Sequence, residues 1–323
     1  MLIFGTMLTV AVAFLLICYI CYRMAFYAPP RKPRKEEFDL PAGPVYEPFH
    51  EKMKAWVREI RQLPREHFEI TSFDGLKLYG TYYEFAPGAP IELMFHGYRG
   101  NAERDLPGGV QRCFACGRSA LVVDQRCAGR SEGNTITFGV NERKDCLKWI
   151  DFAVDHFGPD VKIILTGISM GAATVLMTAG EQLPPNVIGI LADGGYSTPR
   201  AIMMKVIKDM GLPPKLCWPF VRLGAIIYGK FDPEECSPLD AMSRCRVPVI
   251  FFHGEQDGFV PCSMSREVYD ACPTRKSIYT VPGADHGLSY AVDPEGYLRT
   301  LRAFFGANAS SDRQMFCAGA QNY

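Results

Sequence analysis

The chain has 323 residues, 48% of them hydrophobic and 22% charged, an ordinary globular composition with room for a large core. Lys plus Arg and Asp plus Glu both number 35, so the formal charge is zero and the basic excess of a nucleic-acid-binding protein is missing. The 12 cysteines lie singly in apolar runs rather than in the dense framework of a small secreted domain, which favours a reducing compartment.

Met1 to Tyr22 contains no charged residue, and its 22 positions suffice for a helix that crosses a bilayer, which needs about 20. Tyr19, Tyr22, Phe26 and Tyr27 gather at its end, where amphipathic rings favour the interface, and Arg23, Arg31, Lys32, Arg34 and Lys35 follow. A cleaved signal peptide carries its positive charge before the apolar run, and none stands there. The expectation is a single-pass anchor over 1–22 with the remainder on the cytoplasmic side. Residues 23–46, with Pro29, Pro30, Pro33, Pro41 and Pro44, read as an extended spacer rather than a packed element.

A folded domain is expected over 47–306. Glu47 to Leu63 reads as a helix with Met53, Trp56, Val57 and Ile60 on one face. His67–Ser72 and Leu76–Phe85 flank Asp74-Gly75, a strong hairpin signal. Six short apolar runs follow: Ile91–Phe95, Ala120–Val123, Lys162–Thr166, Val187–Ala192, Pro248–His253 and Ser277–Val281. Their lack of alternation fits strands buried on both faces. Helical stretches separate them near Ala102–Cys116, Glu142–Phe157, Gly171–Gln182, Ser263–Ala271 and Asp293–Phe305. The pattern predicts an α/β fold with a mostly parallel eight-stranded sheet and helices on both faces. Between Ala192 and Pro248 the rhythm breaks, and an apolar helical cap is expected at about 196–240, after the sixth strand. The small, polar tail 307–323 reads as disordered.

The pairs Cys18-x-x-Cys21 and Cys113-x-x-Cys116 lack two further ligands at a zinc spacing, so they read as small buried hydrophobes and no metal is expected. No dinucleotide fingerprint or phosphate-binding loop is present, and no cofactor is expected.

Gly167-Ile168-Ser169-Met170-Gly171 is a G-x-S-x-G element with a buried strand running in and the helix-forming run from Ala172 to Met177 running out. That setting makes a nucleophile elbow, in which flanking glycines let strand and helix approach while the serine is lifted off the sheet. The helix N-terminus brings the Met170 N–H toward a developing oxyanion. With Phe95-His96-Gly97-Tyr98, Asp124-Gln125-Arg126 with Gly129, Arg130, Ser131 and Gly133, His253-Gly254-Glu255-Gln256-Asp257, and Asp285-His286-Gly287, the chain resembles the α/β-hydrolase superfamily. Within it, the chain resembles the bacterial serine-aminopeptidase-like or prolyl-oligopeptidase-like group of membrane-anchored hydrolases. The resemblance covers about residues 65–306.

The superfamily order of nucleophile, acid and base assigns Ser169, Asp257 and His286. Asp193 is the alternative acid, Glu255 a weaker third, and Asp285 points elsewhere from the base's own loop. His96 and His253 each end a strand before glycine, where a structural hydrogen bond is expected. The resemblance places the second oxyanion donor at the backbone N–H of Tyr98. Asp124, Arg126, Arg130 and Ser131 read as a paired network bracing a loop, since buried charges are usually paired. The expected activity is acyl transfer to water through an acyl-enzyme, on a carboxylic ester of small to medium hydrophobic acyl or aryl groups. Aminopeptidase-like amide cleavage is the alternative, and a noncatalytic membrane-tethered scaffold is the alternative of another class.

Overall fold

The computed structural model describes residues 2–29 and 37–306; the expected tail and part of the expected spacer lie outside the described residues. In chain order the elements are α1 (Leu2–Ala25), α2 (His50–Gln62), β1 (Glu66–Thr71), β2 (Lys77–Tyr83), β3 (Ile91–Phe95), α3 (Ala102–Asp105), α4 (Pro107–Ala115) and β4 (Ser119–Asp124). There follow α5 (Glu142–Phe157), β5 (Ile163–Ile168), α6 (Met170–Thr178), β6 (Val187–Asp193), α7 (Pro199–Asp209), α8 (Pro214–Gly224) and a π turn at Ala225–Gly229. The last are α9 (Pro238–Met242), β7 (Val249–Gly254), α10 (Cys262–Ala271), β8 (Lys276–Val281), α11 (Ser289–Val292) and α12 (Pro294–Gly306).

Eight strands form one sheet in the order β1-β2-β4-β3-β5-β6-β7-β8. The β1–β2 hairpin turns at Asp74-Gly75 as predicted, where the Ser72 hydroxyl donates to Asp74 and accepts from the Leu76 N–H. β2 runs antiparallel to β4, and every later pair is parallel. β3 and β7 are buried at every position because helices cover both faces. Trp149 and Ile150 of α5, Val175 and Leu176 of α6 and Val268 of α10 close over Leu93, Phe95 and Phe251. On the opposite face Ile60 of α2 and Val110 of α4 meet Met94 and Val122, while Tyr297 and Leu301 of α12 meet Ile250 and Phe252.

The single helix expected over Ala102–Cys116 is two, because Pro107 has no N–H to continue the ladder and instead opens α4. A second difference lies within β3. Glu92, in a run read as apolar, is fully buried, with Arg112 and Arg118 on its two carboxylate oxygens. Thr166 Oγ1 adds a hydrogen bond at 3.0 Å. Burial pushes the Glu92 pKa up, but the two guanidiniums outweigh it and the net shift is downward. Glu92→Ala leaves two buried arginines unpaired, so a loss of about 3–5 kcal/mol is expected. The urea midpoint of the detergent-solubilised chain measures it, and an unchanged midpoint contradicts it.

The N-terminal segment departs most from expectation. α1 is long and apolar enough to cross a membrane, and most of it is exposed. Its final turns and the residue after them are nevertheless packed: Cys18, Tyr22 and Phe26 are buried, and the Phe26 ring meets Phe138 and Phe231 edge-on. The Ala28 N–H donates to Asn134 O at 2.9 Å, and Tyr27 bridges to Thr135. Residues beyond the gap also lie on the domain rather than free of it. Phe38 sits under the Arg58 and Arg61 guanidiniums, Asp39 accepts from Asn101, and His50 bonds Pro41 O. Proline-rich sequence can still lie against a surface, and here it ends in a turn closed by the Tyr46 N–H on Gly43 O.

Candidate active site

β5 delivers Ile168 to a turn in which Ser169 takes φ +56° and ψ −119°, and α6 begins at the next residue. A left-handed backbone at a non-glycine residue is strained and persists only where the surroundings impose it. Here they do. A Cβ on Gly167 would lie 2.1 Å from Gly171 O, and one on Gly171 would lie 2.0 Å from Phe95 O. The Ser169 N–H is fixed by Asp193 O at 2.8 Å.

Three side chains that the sequence scatters meet at this turn. His286 Nε2 lies 2.8 Å from Ser169 Oγ, and His286 Nδ1 lies 2.7 Å from Asp257 Oδ2. The other Asp257 oxygen accepts from the N–H groups of Phe259 and Val260 at 2.9 and 2.7 Å. Burial pushes the Asp257 carboxyl up, but hydrogen bonds from His253 and His286, the nearby imidazole charge and the Val260 N–H overcome it and lower its pKa to about 2. Asp257 therefore stands ionised against the imidazole. The Phe259 ring packs edge-on against His286, with centroids 5.2 Å apart.

The other candidate acids are engaged elsewhere. Asp193 is buried and accepts from Ser289 Oγ at 2.9 Å and Tyr297 OH at 3.2 Å, and burial raises its pKa. Glu255 accepts from Thr280, while Asp285 accepts from the Gly258 N–H and from the N–H of His286. His253 bonds Val260 O and Ser265 Oγ. His96 Nε2 accepts from the Gln125 N–H, which sets the tautomer that donates from Nδ1 to Gly97 O. Arg126 is paired with Asp145 and Asp74, and the Asp124 carboxylate accepts from the N–H groups of Ala102 and Arg130. The Ser131 hydroxyl donates to Asp124 O. These bonds join the loops after β3 and β4.

Both expected oxyanion donors adjoin Ser169. Met170 is the first residue of α6, where backbone N–H groups have no partner within the helix. Tyr98 follows Gly97, whose backbone passes so close that a Cβ there would lie 3.4 Å from Ser169 Cβ. The loop carrying Tyr98 is tied to the end of α1: Tyr98 OH donates to Ala25 O at 2.7 Å and Arg99 Nη2 to Met24 O at 2.9 Å. A guanidinium at a helix C-terminus is also favoured by the helix dipole. Tyr98→Phe keeps the backbone N–H and removes one neutral hydrogen bond of about 1 kcal/mol. The expected result is a fall in kcat of about fivefold with KM little changed. Steady-state ester kinetics read the split, and a rise confined to KM points to a role in binding instead.

A cavity of about 560 Å³ opens over Ser169 and His286. Its wall includes Met53 and Trp56 from α2, Lys205 and Asp209 from α7, and Pro41, Val45 and Tyr46 from the stretch read as spacer. Burial and the Asp257, Asp285 and Asp105 carboxylates push the Tyr46 hydroxyl up to about 12, so it stays protonated as a donor. Sequence reasoning missed this wall; the apolar cluster Pro44-Val45-Tyr46 directly before a helix was the available signal. Among the described residues, no group of three or more His, Cys, Asp or Glu side chains is arranged to hold a metal. Cys113 is buried, donates toward Arg118 O and has its thiol pKa pushed well up, chiefly by burial.

No family model matches the chain. The uncharacterized protein YqkD of Bacillus subtilis is 26% identical over 249 residues, 75% of this chain and 80% of that one. Protein bem46 of Schizosaccharomyces pombe is 25% identical over 225 residues, 68% of each. Among solved structures, an esterase from Pyrococcus furiosus superposes with a TM-score of 0.63 at 20% identity, covering 87% of this chain and 98% of its own. Est1E from Butyrivibrio proteoclasticus, solved with ferulic acid bound, gives 0.57 at 19% identity, covering 74% and 99%. With the strand order above, these likenesses show the α/β-hydrolase fold.

Proposed function

We propose that this α/β-hydrolase-fold protein is a membrane-anchored serine hydrolase that cleaves carboxylic esters, with Ser169 as nucleophile, His286 as base and Asp257 as orienting acid. One observation carries the reading: an unbroken Ser169–His286–Asp257 relay of 2.8 and 2.7 Å at a strained elbow inside a cavity. His286 takes the Ser169 proton as Oγ attacks the carbonyl carbon, and Asp257 steadies the imidazolium that forms. The Met170 and Tyr98 N–H groups receive the oxyanion, a contribution for which loss of one donor typically costs about 100- to 1000-fold. His286 then returns the proton to the leaving alkoxide, and water releases the acyl group by the reverse steps.

The ester reading over an amide draws on the similar structures, several of which are esterases, and on the apolar wall formed by Met53, Trp56, Val45 and Phe259. The anchor reading draws on the packing of α1: cleavage after an apolar leader would strip Tyr22 and Phe26 from a core cluster that also holds Met170. The test is fluorophosphonate labelling of the full chain, with the modified peptide mapped by mass spectrometry. A phosphonylated Ser169 is expected. An unlabelled protein that hydrolyses no activated ester supports the noncatalytic scaffold instead.

A further inference from the structure

α8 and the π turn touch α1 well before its end. The Phe220 and Phe14 rings lie 5.3 Å apart, and Tyr228 OH donates to Leu15 O at 3.1 Å. A Cβ on Gly224 would lie 2.4 Å from Cys18 O, so the two backbones are in contact. Tyr228 joins Tyr19 and Tyr22 in an aromatic group with centroids 5.2 and 6.0 Å away. Such rings settle at the lipid–water boundary, and Arg23 stands just past them with its guanidinium over Tyr27. At about 1.5 Å of rise per residue, Phe14 lies about 12 Å along the helix from Tyr22. Whatever touches Phe14 therefore shares the depth of the acyl chains.

The segment that does so has a matching surface. Leu212, Leu216 and Ile226 are large, apolar and exposed, as is Met210 at the end of α7. Its charges are compatible with that depth. Arg222 is paired with Asp232 and Glu234, and Lys215 is a long side chain that can carry its ammonium to the headgroups. We propose that the α8 face is seated in the same leaflet as α1, with its apolar side in the acyl-chain boundary, so that the membrane is its partner. An amphipathic helix lying in the interface buries its apolar face about 5–10 Å deep, comparable with the roughly 8 Å of helix between Phe14 and Tyr19 of the boundary group. α7 then links the two environments, since Lys205 and Asp209 line the cavity and Met210 directly follows Asp209.

The inference rests on the anchor reading and is independent of the chemistry at Ser169. The test places the full chain in phosphatidylcholine nanodiscs containing a phosphatidylcholine with a diazirine in its acyl chain, then maps photoadducts by mass spectrometry. Adducts are expected on Val10 to Ile17 and also on Leu216 to Ile227, with none on Phe85, an exposed ring that packs on Phe114. Adducts confined to α1, or equal labelling of Phe85 and Ile226, overturn the proposal. Absence of adducts from α1 as well as α8 overturns it together with the anchor reading.

Discussion

Ser169→Ala is expected to lower turnover of an activated ester by about 10⁶-fold, because in the proposed mechanism base and acid have no function without the hydroxyl they activate. Catalysis of about 10³- to 10⁴-fold over water should survive from the oxyanion donors and the cavity. Single-turnover hydrolysis of p-nitrophenyl acetate by the purified full chain measures this. Activity within tenfold of wild type removes Ser169 from the mechanism. The substitution leaves the φ of +56° in place, so thermal unfolding should hardly move. Ser169→Gly relieves that backbone and should be inactive yet more stable, by about 1 kcal/mol.

Asp257→Asn is expected to cost about 10⁴-fold in kcat, and the hydrogen bonds here say why. One oxygen of residue 257 accepts from two backbone N–H groups, so an asparagine must keep its carbonyl there. Its NH₂ then faces His286 Nδ1 and donates to it, which forces the ring proton onto Nε2. A protonated Nε2 cannot accept from Ser169. Asp193→Asn serves as the contrast: that carboxyl is bonded to Ser289 and Tyr297, so its loss should lower stability more than kcat. Equal kinetic damage from the two variants contradicts the assignment of Asp257.

The pH dependence of stability follows from the same carboxylate. Its pKa falls from 3.8 to about 2 on folding, so its contribution is complete above about pH 4 and is lost as pH drops toward 2. The amount is about 2 kcal/mol. Denaturant midpoints for wild type and Asp257→Asn should therefore differ above pH 4 and converge near pH 2.

How much of this was legible in the sequence depends on how far apart the determining contacts lie. β3 is bounded by local signals, and the G-x-S-x-G element announces its own geometry because strand, turn and helix are contiguous. The choice of Asp257 over Asp193 rests on motif order; in the fold Asp257 bonds His286, while Asp193 bonds Ser289 and Tyr297. Glu92 was hidden because its two arginines come from α4 and from the turn before β4, and no local period links them. The packing of α1 was hidden differently. Cys18, Tyr22 and Phe26 form an i, i+4, i+8 stripe, but a count of apolar residues sees a membrane span and not a buried edge within it. The wall at Pro41–Tyr46 escapes for the same reason, because composition says nothing of contact.

The bonds from Tyr98 and Arg99 to α1, together with Phe26 against Phe138 and Phe231, bear on how the protein can be handled. A shortened version starting after residue 28 would bare the aromatic surface that Phe26 covers and strand the Tyr98 hydroxyl. Clumping of such a preparation would record a missing piece of the interior, and a substrate screen run on it would be testing a damaged fold.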